Sequence, residues 1–163
     1  MAALSTIEIV ARTSLGESVD QRWVEWAIDA LETGCDSKAL AMLAGAMPPF
    51  NQFEMRDLVL RVFADLDLRL YASRPGAVLA LVDQLVRSAT DSPHARRLVL
   101  QEIAHLYVAE GYLSPVTPFY MLHSAAVDLQ TTEVQWYWPD AHRGNIDELI
   151  REQFRSWLTE RPA

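Results

Sequence analysis

Glu102 and His105 come nearest, among the residues of this sequence, to a catalytic or metal-binding pattern. They stand three positions apart in a predicted helix, and a Glu-x-x-His pair is half of the di-iron carboxylate site found inside helical bundles. That site needs a second pair on a facing helix, and no other Glu precedes a His by three residues. The sequence therefore predicts no metal site.

A helical wheel of residues 93–110 places Glu102 on the most apolar side of the helix. A carboxylate buried there needs a hydrogen-bond or charge partner, and it is either an active-site group or a structural tie between helices. We interpret it as a tie, because no catalytic partner is evident. His94, His105 and His123 are interpreted in the same way, as neutral residues that pack or cap rather than ligate.

The motifs that usually mark an enzyme are absent from the sequence. It has no glycine-rich phosphate loop, no paired cysteines, no His-Glu-x-x-His and no Gly-x-Ser-x-Gly. We therefore predict no cofactor and favour a non-enzymatic protein. The alternative is a small helical enzyme or small-molecule-binding protein that uses Glu102, His105 and residues 136–145, and a deep polar pocket joining them would support it.

The segment 136–145 is the densest cluster of unusual residues, and it begins with three aromatic residues, Trp136, Tyr137 and Trp138. One interpretation is a recognition surface, because Trp, Tyr and Arg often dominate binding energy at interfaces. The other is that the aromatic rings fill a gap between two helices while Asn145 caps the last one. We favour the second, since large aromatics in a small helical domain usually serve the core. His142 and Arg143 are then the exposed members.

An acidic stripe is predicted on one face of a helix over residues 19–33 and in the turn after it: Glu25, Asp29, Glu32 and Asp36. Like charges four residues apart cost a helix about 0.2–0.5 kcal/mol per pair, and Glu32 also opposes the helix dipole. Stability alone would not select this arrangement. The stripe is either an ordinary solvated face or a solvent-facing docking surface for a basic partner.

Start and stop signals divide the rest of the chain into helices. Capping boxes, a favourable N-cap residue, and cap residues placed before a proline each predict a helix start. The predicted starts are Ser18, Asp36, Asn51, Ser73, Ser92, Thr117 and Asn145. A further short helix is expected near residues 6–14, and short turns between the helices favour antiparallel neighbours. Residues 133–138 come nearest to the alternation of a strand, although they could equally form a loop.

Length and composition set the expected fold class. The chain has 163 residues, of which 50% are hydrophobic and 22% charged, so it can bury a substantial core and lacks the composition of a disordered protein. With seven or eight capped helices, we predict an all-α protein. Residues 1–163 are expected to form a single-domain bundle or a short helical stack.

Charge and cysteine content limit the partner and the compartment. The net charge is −8, and neither half of the chain has a basic excess, so nucleic-acid binding is disfavoured and a protein partner with a basic surface is favoured. The single Cys35 has no disulfide partner, and the first residues lack a signal peptide, which predicts a cytoplasmic protein. No apolar stretch is long enough to span a membrane.

Several segments together resemble a little-characterised family of small bacterial all-helical proteins, loosely similar to toxin-neutralising immunity proteins. The segments are residues 23–27, 43–45, 51–54, 106–113 and 135–138, with Asn145 and Ile146. The resemblance implies a helical fold and an immunity-type protein that binds and neutralises a toxin or effector. It implies no catalytic residue.

Overall fold

The predicted all-α fold is confirmed. The computed structural model describes residues 4–89 and 92–161, and over those residues it contains eight α-helices, one short 3₁₀ helix at Ser114–Val116 and no β-strand. The α-helices are α1 Thr6–Leu15, α2 Gln21–Glu32, α3 Lys38–Ala44, α4 Gln52–Asp65, α5 Arg74–Ser88, α6 Pro93–Ala109, α7 Thr117–Thr131 and α8 Ile146–Glu160. Within the described ranges, no helix combines the length and apolar content that a bilayer crossing requires.

Three of the predicted helix caps have the predicted geometry, and one of them is Ser73, whose hydroxyl accepts from the N–H of Gly76 in the first turn of α5 at 3.2 Å. The side-chain oxygen of Asn51 accepts hydrogen bonds from the backbone N–H groups of Phe53 and Glu54, at 3.1 and 3.5 Å. Ser92 caps α6 through the N–H of Ala95, with Pro93 in the first turn. These starts are visible in the sequence because a cap satisfies amides only two or three residues away.

The predicted caps of α2 and α3 are wrong by one or two positions. Asp20, not Ser18, caps α2 by accepting from the N–H of Arg22 at 2.9 Å. Ser37, not Asp36, caps α3 and also donates its hydroxyl to Asp65 of α4 at 2.6 Å. At α3 the contact with Asp65, 28 residues away, is one that local spacing does not encode. At α2 the Asp20 carboxylate also accepts from the side chain of Arg22, two residues on.

The predicted cap of α7 is also wrong. Thr117 is the first residue of α7 and follows directly on the 3₁₀ helix, and the helix has no side-chain cap. The Thr117 hydroxyl instead donates to the phenolic oxygen of Tyr107 at 3.2 Å. A contact with α6 has therefore replaced the local cap.

The helices group into two compact units, residues 1–81 and 82–163, with the boundary inside α5. That residues 1–163 form one domain remains a prediction. In the first unit α2 packs on α1 and α3, and α3 packs on α4. Trp23 is fully buried at its centre, and its indole N–H donates to the Thr13 hydroxyl at 3.1 Å, which satisfies the polar atom that burial removes from water.

In the second unit α6, α7 and α8 pack against one another. Phe119 of α7 is fully buried and meets the rings of Phe154 and Trp157 edge-on, at centroid distances of 5.7 and 5.2 Å. Helices α6 and α7 run antiparallel, as the short connection between them favours: Tyr107 lies beside Tyr120, and the earlier residue of α6, His105, lies beside the later residue of α7, His123.

Candidate binding groove and aromatic loop

The acidic stripe lies in the first unit. Asp29 and Glu32 are exposed on α2, Asp36 is exposed in the turn before α3, and Glu25 is partly buried rather than fully solvent-facing. None of the four carboxylates forms an ion pair or a side-chain hydrogen bond with another residue of the ranges 4–89 and 92–161. Their negative charges are therefore offset by solvent alone within that part of the chain.

The predicted binding residues of the second unit lie in the connection between α7 and α8, residues 132–145, which we call the aromatic loop. Gln135 holds its backbone together. The side-chain oxygen accepts from the N–H groups of Tyr137 and Trp138, both at 2.9 Å, and the side-chain nitrogen donates to the carbonyls of Trp138 and Ala141, at 2.6 and 3.1 Å. Four hydrogen bonds from one side chain fix the conformation of the loop.

Arg143 and Asn145 secure the far end of the aromatic loop. The Arg143 guanidinium donates to the carbonyls of Leu129 and Thr132, at 2.7 and 3.1 Å, and so ties the loop to the end of α7. Asn145 precedes α8, but its side chain accepts from His142 N–H at 2.8 Å and caps no amide of the helix. The predicted capping function of Asn145 is therefore wrong, because its side chain bonds to the loop.

The aromatic side chains do not fill a gap between helices as we interpreted. Trp136 is 89% exposed and Tyr137 is 40% exposed, whereas Trp138 is partly buried. His142 and Arg143 are exposed, as expected. The core interpretation is wrong for Trp136 and Tyr137, because hydrogen bonds from Gln135 already order the loop without burying their rings. No strand forms in this part of the described chain.

Three neighbouring cavities follow the surface groove between α6 and α7. The histidine cavity, of about 310 Å³, is lined by His105, Tyr120, His123, Asp128 and Tyr137 among others. A middle cavity of about 430 Å³ shares His123 and Val127 with it. The arginine cavity, of about 340 Å³, shares Arg97, Ala126 and Gln130 with the middle one and also contains Arg143. The shared residues show that the three cavities lie next to one another along α6 and α7.

His105 and His123 form an edge-to-face pair with ring centroids 6.3 Å apart. Burial and the charge of His105 lower the pKa of His123 below its usual 6.5, because both disfavour the protonated ring. His123 is therefore neutral near pH 7, which agrees with the interpretation from sequence.

The groove contains side chains that can bind a ligand, but its serine hydroxyl is not hydrogen-bonded to a base that would activate it as a nucleophile. The Ser124 hydroxyl donates to the carbonyl of Tyr120 at 3.0 Å rather than to a histidine. Glu102 is partly buried and lines none of the three cavities, so the structure does not join it with His105 and the aromatic loop in one pocket. Across residues 4–89 and 92–161, no three His, Cys, Asp or Glu side chains are placed to hold a metal ion.

Sequence reasoning missed Arg97, Gln130 and Gln135. Arg97 and Gln130 lie on different helices and meet only because α6 and α7 pack antiparallel, so no local spacing connects them. A signal for Gln135 was present in the sequence, since a side-chain amide between a helix end and a run of aromatics can form hydrogen bonds with the backbone two or three residues on.

No family model, curated protein or solved structure matches the chain significantly.

Proposed function

We propose that the protein is a non-enzymatic protein-interaction module, an immunity-type protein that binds and neutralises a toxin or effector. The observation that carries the proposal is the position of Trp136, which is 89% exposed on a loop locked by the side chains of Gln135 and Arg143. The resemblance to small bacterial immunity-like proteins supports the toxin or effector as the class of partner.

An exposed tryptophan on an ordered loop is well suited to binding. Its large apolar ring gains hydrophobic free energy only when a partner covers it, and tryptophan is enriched among the residues that dominate interface energies. Because the loop is already held by hydrogen bonds, little conformational entropy is lost on association. Tyr137 and the exposed His142 extend the same surface with groups that can form hydrogen bonds.

The acidic stripe supports a partner with a basic surface. Its carboxylates have no ion-pair partner within the described ranges, so a basic protein would provide the charges that the fold does not. Exposed charges of this kind raise the association rate and the specificity of a complex.

Cys35 is exposed and free, which suits a reducing compartment, and we propose that the interaction takes place in the cytoplasm.

The test is binding to the product of the neighbouring gene, measured with the native protein and with Trp136→Ala. We expect the substitution to weaken binding about 30-fold or more, the loss typical of a central tryptophan, and to abolish protection in a growth assay if the neighbour is toxic. Phe53→Ala is the matched control, because Phe53 is 85% exposed but lies on α4 in the first unit. Equal losses for both variants would contradict the proposal.

A small-molecule-binding protein is the second candidate function. The observation that favours it is the histidine cavity, which brings His105 and Tyr137 together as that hypothesis requires. Its volume of about 310 Å³ lies at the lower end of ordinary ligand sites, roughly 300–1,000 Å³. Glu102, the carboxylate that this hypothesis names, does not line the cavity, and the carboxylate that does line it belongs to Asp128.

A further inference from the structure

The arginine cavity of the second unit brings cationic and amide groups onto an apolar floor. Arg97 of α6, Gln130 of α7 and Arg143 of the aromatic loop line it together with Ala126, Leu129 and Ile146. Guanidinium groups bind carboxylates through paired hydrogen bonds, and an amide nitrogen can add a third donor. The cavity therefore has the donors that an anionic group on an apolar stem requires.

The positive charge of this cavity is not fully compensated. Among the residues that the structure describes, the Arg143 guanidinium donates only to two backbone carbonyls, which are neutral. Arg97 forms an ion pair with Asp147 through its Nε atom at 2.7 Å, and its two terminal nitrogens have no partner within the described ranges. Two guanidinium groups thus face one carboxylate, a local positive excess in a chain whose net charge is −8.

The groove continues from the arginine cavity along α6 toward the histidine cavity. From Arg97 to Val108 it covers eleven helical steps, about 16 Å at 1.5 Å per residue. Leu98, Val108 and Val127 line it with side chains that are about half exposed. A partner segment of two to three helical turns fits this length and can cover the apolar side chains as a helix in a groove.

We propose that the arginine cavity binds the carboxylate of an acidic side chain, carried by a partner segment whose apolar residues lie along the α6–α7 groove. This inference rests on the proposed function as an interaction module and names the chemistry of one contact. The bound carboxylate bridges Arg97 and Arg143, while Gln130 donates from its amide.

The experiment uses two short, acetylated and amidated leucine-rich peptides that differ only in having a glutamate or a glutamine. They are titrated into the full-length protein, and the ¹H–¹⁵N signals of arginine Nε–H groups and groove amides are followed by NMR. We expect saturable shifts at Arg97 and Arg143 and about tenfold tighter binding of the glutamate peptide, since charge-assisted hydrogen bonds favour it. Equal binding of both peptides, or no binding, would overturn the inference.

Gln130→Glu gives the sharper variant, because it places a competing carboxylate in the cavity at an exposed helical position and so leaves folding unchanged. It should remove the preference for the glutamate peptide. Gln21→Glu makes the same charge change on α2, outside the groove, and should leave the preference intact. A retained preference in Gln130→Glu would also overturn the inference. No partner protein is needed, so this result and that for Trp136→Ala can fail independently.

Discussion

In the first unit, the side chain of Arg12 joins α1 to the residues that follow it. Its guanidinium is buried, and Nε and Nη2 donate to one oxygen of the buried Glu8 at 3.1 and 2.8 Å. Nη1 donates to both oxygens of Glu17, at 3.0 and 3.2 Å. Glu17 is within reach because Gly16 ends α1 at a φ of 81°, in the left-handed region that favours glycine, and turns the chain back toward Arg12.

Arg12→Met should therefore be strongly destabilising. The substitution keeps the apolar stem but leaves Glu8, which is 6% exposed, without the cation that compensates its burial. Removing one partner of a buried ion pair costs about 3–5 kcal/mol. Urea unfolding followed by circular dichroism measures the loss. Arg61→Met is the control, because its pair with Asp57 is more than half exposed on both sides and such pairs contribute about 1 kcal/mol or less. Similar losses in both variants would contradict this account.

The two sides of helix α2 have opposite effects on its stability: the apolar side stabilises it by packing, and the acidic side destabilises it by charge repulsion. Its inner side is buried through Trp23, Trp26 and Ala27. On the outer side it carries Glu25, Asp29 and Glu32 of the acidic stripe, and its last turn has no basic residue to favour the helix dipole. The helix forms because the burial of its apolar side outweighs a repulsion of a few tenths of a kcal/mol per pair.

Replacing Glu25 and Glu32 by Gln, and Asp29 by Asn, tests the stripe as one element. The free energy of unfolding should stay the same or rise by about 0.5 kcal/mol, because two like-charge pairs are removed. Association with the basic partner should slow, and its dependence on salt should weaken. Stopped-flow mixing at low and moderate salt measures both.

The control for this substitution is the triple Gln variant of Glu54, Glu152 and Glu160, which changes the net charge by the same amount at exposed positions outside the stripe. If both triple variants associate at the same rate and with the same salt dependence, the stripe is only a solvated face. The docking surface would then be confined to the aromatic loop and the α6–α7 groove.

At the scale of the whole molecule, the free energy of unfolding depends on pH through one group in each unit, His123 in the second and Asp20 in the first. The folded state lowers the pKa of His123, so the unfolded chain takes up that proton first and stability falls as pH drops below 6.5. Burial tends to raise the pKa of Asp20, but hydrogen bonds from Arg22 and the charges of Arg22 and Arg12 lower it below 3.8 overall. Its stabilisation is present above pH 3.8 and is lost as pH falls through the folded value.

We therefore expect urea midpoints to fall in two steps on acidification, first below pH 6.5 and again below pH 3.8. Midpoints measured across this range, with His123→Asn beside the native protein, provide the check. The variant should lose much of the upper step and keep the lower one, because the two groups lie on different units. An unchanged upper step in His123→Asn would show that other groups produce it.

The helical elements were largely predictable because their causes are local. The apolar spacing of each helix and caps such as Asn51 and Ser92 lie within a few residues of the amides they serve. Predicted caps were wrong where a side chain forms a hydrogen bond outside the helix end. Ser37 caps α3 and also donates to Asp65, and the side chain of Asn145 accepts from His142 in the aromatic loop rather than from α8.

The sequence by itself determined the helix class, the approximate helix count and the existence of the acidic stripe, because each depends on residues close together in one helix. Only the tertiary structure decided that Trp136 is exposed and that Arg97, Gln130 and Arg143 share a cavity. The physical reason is that these properties depend on which side of a loop faces solvent and on how α6 and α7 align. The hydrogen bonds of Gln135 determine the first, and the antiparallel packing of α6 and α7 determines the second. The residues involved show no regular spacing in the sequence.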